Sequence, residues 1–470
     1  MSGATTLENV VHWVSSTAQK RVPYDAANRY LEGPFAPVQA EVTQTDLAIT
    51  GTLPRELNGL YARIGPNPLD VVNPAIHHWF LGAGMVHGVR LRDGRAVWYR
   101  NRWIGTDSVQ QRLGRPTAPG PRRGNFDTVN TNIIGHAGRL WALVEGAALP
   151  VALDREFNTL RHGLFDAPAI RSFSAHPRLD PLTGELHAVC WDVTNRNRVD
   201  YVVIGADGSL VREVGIPVRH GPMIHDAAVT QSQVVVLDLP VTFSMAALLR
   251  GNALPYTWNE RHPARVGLLP RTGDASAIRW FEIEPCYVFH IANAFDLHDG
   301  GTVIDVIAYP RMFDTSRQGP EGFNSSFERW TLHAGSTRVK RTVVSRFQQE
   351  FPRCDDRRAG QMYRYAYSIG AGLDAPGAEP LYRHDMQTGA VIRHDYGAHH
   401  IPAEAVFVPR HRGAAEDDGW LIAFVYNLRD DSSALVVLNA GDLGGQPAAT
   451  VHLPARVPLG FHGNWIADAG

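Results

Sequence analysis

Four histidines in short apolar segments constrain the fold more than any other feature of this chain. They are His176 in SFSAHPRLDP, His225 in GPMIHDAAVT, His290 in CYVFHIANAFD and His462 in PLGFHGNW. Each segment reads as a strand or strand end running into an interior. Burying one imidazole costs free energy unless its nitrogens are bonded. Four of them, from segments spread over most of the chain, point to a shared partner, and imidazole is the commonest side-chain metal ligand. A fold that satisfies this brings distant stretches of chain to one centre. The competing reading is that each is an ordinary core or surface histidine. The chain has 21 histidines, and neither HExxH nor CxxC is present to narrow the choice.

The rest of the chain reads as short strands and turns. Residues 86–92 and 95–100 flank Asp93-Gly94, a hairpin signal. Residues 201–204 and 210–214 form a second hairpin around Ala206-Asp207-Gly208. Segments 233–239, 302–309, 420–426 and 433–438 are further Val- and Ile-rich strand candidates. Helical signals are confined to the first twenty residues and 244–250. Glycines (44) and prolines (31) are scattered as turn punctuation, with no linker between them. Length alone, at 470 residues, allows three domains, but large closed all-β folds run as one unit. The expectation is one domain over 1–470, with 1–30 as a helical N-terminal extension. Many four-stranded units in one chain indicate a propeller, although no repeat period is visible.

A formal net charge of -2 leaves no basic excess to neutralise phosphates, which argues against nucleic acid. Arg122 and Arg123 read as an isolated, solvated loop. Cys190, Cys286 and Cys354 are odd in number and far apart, so a disulfide framework is not expected and a reducing cytoplasm is. Cys190 and Cys286 lie in apolar contexts and read as small core hydrophobes. The N-terminus has no basic region before an apolar run, and Glu8 interrupts it. It reads as a short amphipathic helix, with neither a signal peptide nor a transmembrane segment.

The chain resembles the carotenoid cleavage oxygenases over nearly its whole length. The matching motifs come in family order: LNGLYARIGPNPL (57–69), HHWFLGAGMVHGVRL (77–91), VNTNIIGHAGRLWALVEG (129–146), SAHPRLDPLTGELH (174–187), IHDAAVT, VFHIANAFD, QEFPR (349–353), EAVFVPR (404–410), EDDGW (416–420) and the final FHGNW. The resemblance implies an all-β, seven-bladed propeller with loops and short helices capping one face. It implies one Fe(II) per chain on the axis, held by His176, His225, His290 and His462. Three outer carboxylates then match Glu145, Glu350 and Glu404, accepting hydrogen bonds from His225, His290 and His462 respectively. A carboxylate on the far ring N–H sets the imidazole tautomer and raises its basicity, and three of them offset a dication in a dry cavity. Four neutral ligands in six-coordinate iron leave room for O2 as co-substrate. Thr131 is expected beside one open position.

The implied activity is oxidative cleavage of a conjugated C=C bond of a carotenoid or apocarotenoid. The substrate is an apolar polyene, with no organic cofactor and no separate acid–base residue. Phe80 and Phe289 are candidates for the cavity wall. Val144 stands where stilbene-cleaving members place a lysine. A stilbene- or phenylpropenoid-cleaving dioxygenase is the alternative, followed by a non-enzymatic carrier of apolar ligands. Ala83 departs from the aspartate common in the family and puts a loop near the tunnel in question. Residues 240–250 correspond to a region that meets the bilayer in family members, or else pack over the propeller. At the other end, a chain stopped at Phe461 is expected to lose His462 and little else.

Overall fold

The computed structural model describes residues 6–123, 126–146, 148–167, 170–321, 324–372 and 377–468. Strands dominate, and seven sheets form the blades of a β-propeller. Blade 1 joins both ends of the chain: Gly463–Ala467 is innermost, followed by Gly59–Pro66, Gly84–Arg92, Arg95–Trp103 and Thr43–Thr45. Blades 2 to 6 are four-stranded, and their innermost strands are Asn132–His136, Arg178–Leu179, Ala228–Val229, Tyr287–Asp296 and Gln349–Arg353. In blade 7, His400–Pro402 and Val406–Pro409 both flank Gly419–Asn427, and Ile49–Gly51 forms the outer edge.

The hairpins form where local chemistry dictates. Asp93 and Gly94 both adopt positive φ, 50° and 74°, the backbone that a tight two-residue hairpin turn requires. Apolar side chains on the faces of neighbouring blades then interlock. Val235, Val266, Ile304 and Val306 are all fully buried in one such layer, each stabilising the fold by about 1.5–3 kcal/mol.

The C-terminal segment does more than carry His462, contrary to the sequence expectation. Gly463–Ala467 pairs with Gly59–Arg63 and closes the ring of blades. Phe461 donates its N–H to Ile64 O, and Ile64 donates back to His462 O, both at 3.0 Å. Gly460 and Gly65 pack so closely that a Cβ on either would sit 2.7 Å from the other's Cα. The buried Arg63 side chain donates to Phe461 O and Pro458 O.

Both expected helices are present. Thr6–Gln19 packs against Met245–Leu249. A third, Asp107–Leu113, was not anticipated; the Asp127 carboxylate accepts the N–H groups of its first two residues. The arginines read as solvated loop are clamps between elements. Arg122 holds Asp107, and Arg123 reaches Asp192 at 2.5 Å with little exposure of either side chain. Ala83 packs beside Met85 and Trp103 and does not border the central cavity. No helix among the described residues is long and apolar enough to cross a membrane.

Candidate metal centre

Each blade contributes one polar group to the axis. His462 comes from the start of the inner strand of blade 1, Glu145 from the end of Arg139–Leu143 in blade 2, and His176 from the approach to Arg178–Leu179 in blade 3. His225 precedes Ala228–Val229 in blade 4, and His290 lies within Tyr287–Asp296 in blade 5. Glu350 lies in Gln349–Arg353 of blade 6, and Glu404 sits between the two inner strands of blade 7. His290 and Glu350 both sit where the pairing register shifts. Such irregularities re-aim a side chain out of the regular alternation.

The four histidines are buried, and their candidate ligand nitrogens all lie within 4.8 Å of one another. His290 donates Nδ1–H to Glu350 Oε2 at 2.6 Å, and His462 donates Nδ1–H to Glu404 Oε1 at 3.1 Å. His225 Nδ1 lies 2.6 Å from Glu145 Oε1, but the two are poorly aligned and make no proper hydrogen bond. The three contacts join the histidines and glutamates that the resemblance pairs, but the hydrogen bond it implies is made at His290 and His462 and not at His225. Among the described residues His176 has no carboxylate partner, and its Nε2 is buried without any hydrogen bond.

This arrangement fits a metal cation. With Nδ1–H given to carboxylates, the Nε2 atoms of His290 and His462 are bare acceptors, yet they face each other at 3.1 Å. Two lone pairs in a dry interior repel unless a cation lies between them. Metal–nitrogen bonds of about 2.1 Å at a right angle place the nitrogens about 3.0 Å apart. Burial, then the three neighbouring rings, push the His176 pKa well below its ordinary value, keeping a neutral ring with a free lone pair.

Each carboxylate has a second anchor that sequence reasoning missed. Trp191 donates its indole Nε1–H to Glu145 Oε2 at 2.9 Å. Tyr309 donates its hydroxyl to Glu350 Oε1 at 2.7 Å. Gly463 donates its backbone N–H to Glu404 Oε2 at 2.9 Å. One oxygen of each carboxylate therefore faces a histidine and the other faces its support. Although burial raises the Glu404 pKa, His462, Arg353 and the Gly463 N–H hold it down at about 2. Burial likewise opposes His290, the Tyr309 hydroxyl and the Phe351 N–H at Glu350, whose pKa is nevertheless lowered. Trp191 and Tyr309 lie inside apolar strands, and nothing local distinguishes them from core residues. Replacing Tyr309 by Phe keeps the ring and removes the donor. Metal affinity in a metal titration is expected to fall by up to about tenfold, with Tm almost unchanged.

The cluster divides two cavities of opposite character. The larger, about 320 Å³, is walled by Trp79, Phe80, Phe126, Val144, Phe289 and Phe461, and reaches His225, His290 and His462. Phe80, Phe289, Val144 and Thr131 all border it. Thr131 also lies beside the cluster, because its carbonyl accepts the His462 N–H. The second cavity, about 200 Å³, borders His176, His290 and His462 and has a mixed lining with a larger polar share than the first.

The family profile described as "Retinal pigment epithelial membrane protein" matches residues 35–467. The chain is 42% identical to the carotenoid cleavage oxygenase of Mycobacterium tuberculosis, covering 94% of this chain and 98% of that one. The crystal structure of Pseudomonas brassicacearum lignostilbene dioxygenase superposes with a TM-score of 0.84 at 28% identity, covering 95% of this chain and 100% of that one. Cobalt-substituted Synechocystis apocarotenoid oxygenase superposes with a TM-score of 0.81 at 26% identity, covering 92% and 97%.

Proposed function

This chain belongs to the carotenoid cleavage oxygenase family, and on that footing we propose that it is an Fe(II)-dependent dioxygenase cleaving a C=C bond of an apolar polyene, a carotenoid or apocarotenoid. The observation that carries the reading is the convergence of four histidines and three carboxylates at the head of an apolar cavity. His176, His225, His290 and His462 hold the iron, and Glu145, Glu350 and Glu404 orient three of the rings. Bound Fe(II) supplies the O2 chemistry, in which one C=C bond and O2 become two carbonyl groups. The chain's own contribution is to fix the four rings, keep water from the cavity and align the polyene along an aromatic wall. Thr131 limits access beside His462.

The cavity wall favours a polyene over a phenol. Val144 stands beside Glu145, and among the described residues no lysine, arginine or tyrosine lines the cavity. The chain has only two lysines, Lys20 and Lys340. A cation there would hold a phenolate by a charge-assisted hydrogen bond, whereas Val144 offers apolar contact alone. The likeness to lignostilbene dioxygenase supports the stilbene alternative, so the assay must include both classes. With detergent controlling solubility, kcat/KM is expected to be higher for an apocarotenal than for a 4-hydroxystilbene, with two carbonyl products per turnover. A hydroxystilbene cleaved more than about tenfold faster would overturn the polyene assignment and leave the metal centre intact. Elemental analysis is expected to find about one iron per chain. Full occupancy by zinc, with no activity restored by Fe(II), would refute the iron assignment.

Such a substrate is delivered from a membrane. Met245 and Leu249 of the short helix and Trp13 of the N-terminal helix are exposed, and Ala253 and Leu254 just beyond line the cavity. This supports peripheral contact through 240–250 and its neighbour. The three free, buried cysteines support a reducing compartment such as the cytoplasm.

A further inference from the structure

The two cavities that meet at the histidine cluster differ too much to share one kind of traffic. His225 borders only the apolar cavity, His176 borders only the polar chamber, and His290 and His462 border both. We propose that the polar chamber is the route by which hydrated Fe(II) reaches the four histidines and leaves them, separate from the substrate's entrance. The inference rests on the iron assignment above.

A hydrated dication sheds water only where other polar atoms replace it, because an unpaired charge in an apolar medium is heavily penalised. The apolar cavity adds only Asp127, Thr128 and Thr131 to the polar groups of the cluster itself, and apolar side chains such as Trp79, Phe80, Phe126 and Phe289 dominate its wall. The chamber presents Asn132, Asn293 and Asn464 among its lining residues. It also carries three carboxylates, Asp226, Asp356 and Glu404, against two guanidiniums, Arg178 and Arg353. Both guanidiniums are engaged: Arg178 holds Asp226 and the Ile291 carbonyl, and Arg353 holds Asp356 and Glu404. The balance leaves the chamber no net positive charge; what distinguishes it from the apolar cavity, which carries Asp127, Glu145 and Glu350, is its larger share of polar side chains. The chamber opens to solvent where Leu179 and Asp356 are exposed and Ala359 is half-buried. None of these three is among the four histidines or the three outer carboxylates, so the rim can be altered without replacing a candidate ligand.

A route has a kinetic signature that a ligand lacks. Narrowing it slows entry and exit equally and leaves the equilibrium untouched, whereas disturbing a ligand raises the dissociation constant. The test uses the full chain stripped of metal and reloaded anaerobically with Fe(II), and follows metal uptake and then release to a chelating dye. In Ala359→Trp, and independently in Leu179→Trp, uptake and release rates are expected to fall together by about tenfold or more. Kd, final stoichiometry and cleavage by the loaded enzyme should stay at wild-type values. Filling the apolar cavity of the wild-type chain with a long-chain detergent should not slow uptake. Folded plugs that load at the wild-type rate would overturn the route alone, as would uptake slowed by the detergent. A higher Kd carried by release alone would also overturn it, by showing that the plugs act on the ligands. A wild-type chain that takes up no stoichiometric Fe(II) would overturn the iron assignment, and the route with it.

Discussion

Replacing His462 by Ala in the full-length chain is expected to abolish stoichiometric iron and to cut cleavage by more than the roughly 10–100-fold expected from altering an outer carboxylate. The fold should survive, because Gly463–Ala467 still pairs with Gly59–Arg63. Loss of the ring leaves Glu404 Oε1 with only the long Arg353 contact at 3.4 Å, so a modest drop in Tm is expected. A chain ending at Phe461 should fare worse. It loses the same ring together with the closing strand, the Gly463 N–H to Glu404, and the Arg90–Asp468 pair at 2.5 Å. That ion pair is partly exposed and contributes little by itself, so most of the extra loss comes from the open blade. Iron content, circular dichroism and Tm on the two variants separate ligand from closure. Full iron and full activity in the alanine variant would exclude His462 as a ligand.

The second large effect is expected from the carboxylates. Glu350→Gln and Glu404→Gln should each weaken iron binding by about 10–100-fold without unfolding the chain. The reason is the double anchoring. At Glu350 one oxygen accepts from His290 and from the Phe351 N–H, and the other accepts from the Tyr309 hydroxyl. A glutamine NH2 turned toward His290 and the Phe351 N–H meets donors, and an unsatisfied buried group costs about 1–3 kcal/mol. Turned toward Tyr309 it donates to the hydroxyl oxygen, but the neutral amide oxygen left for His290 is the weaker acceptor. If the ring answers by moving its proton to Nε2, the lone pair aimed at the metal is lost. At Glu404 both partners, the His462 Nδ1–H and the Gly463 N–H, are donors, so either orientation of a glutamine sets its NH2 group against one of them. Glu145→Gln should have the smallest effect of the three, because the Glu145–His225 contact is misaligned and its side chain is 13% exposed. Iron titration of the three variants tests the order. Wild-type affinity in all three would remove the carboxylates from the metal centre.

The elements were legible because their causes are local. The 86–100 hairpin follows from a turn dipeptide between Val-rich runs, and it forms as Gly84–Arg92 and Arg95–Trp103. The short helix at 244–250 follows from Ser244, whose hydroxyl accepts the Ala247 N–H as a cap. No repeat period was visible because the blades differ in their connections. Blade 4 carries an inserted hairpin, Val241–Phe243 with Tyr256–Trp258, and a helix between its second and third strands. Blades 1 and 7 borrow strands from opposite ends of the chain, so neither is a continuous stretch of sequence.

The sequence by itself determined the strand-and-turn character and the set of histidines and glutamates that motif resemblance singles out. A residue type and its immediate neighbours suffice for both. Only the tertiary structure decided that each of the seven blades delivers one of those seven groups to the axis. It alone decided that Trp191, Tyr309 and Gly463 brace the carboxylates from other blades. It also decided that the C-terminal strand closes the ring as well as presenting His462, and that the cluster separates an aromatic cavity from a polar one. These features depend on contacts between segments far apart in the chain, and the energy that selects such contacts comes from packing and burial across blades. A strand's own sequence specifies which face is apolar; which neighbour covers that face is settled only when the ring closes.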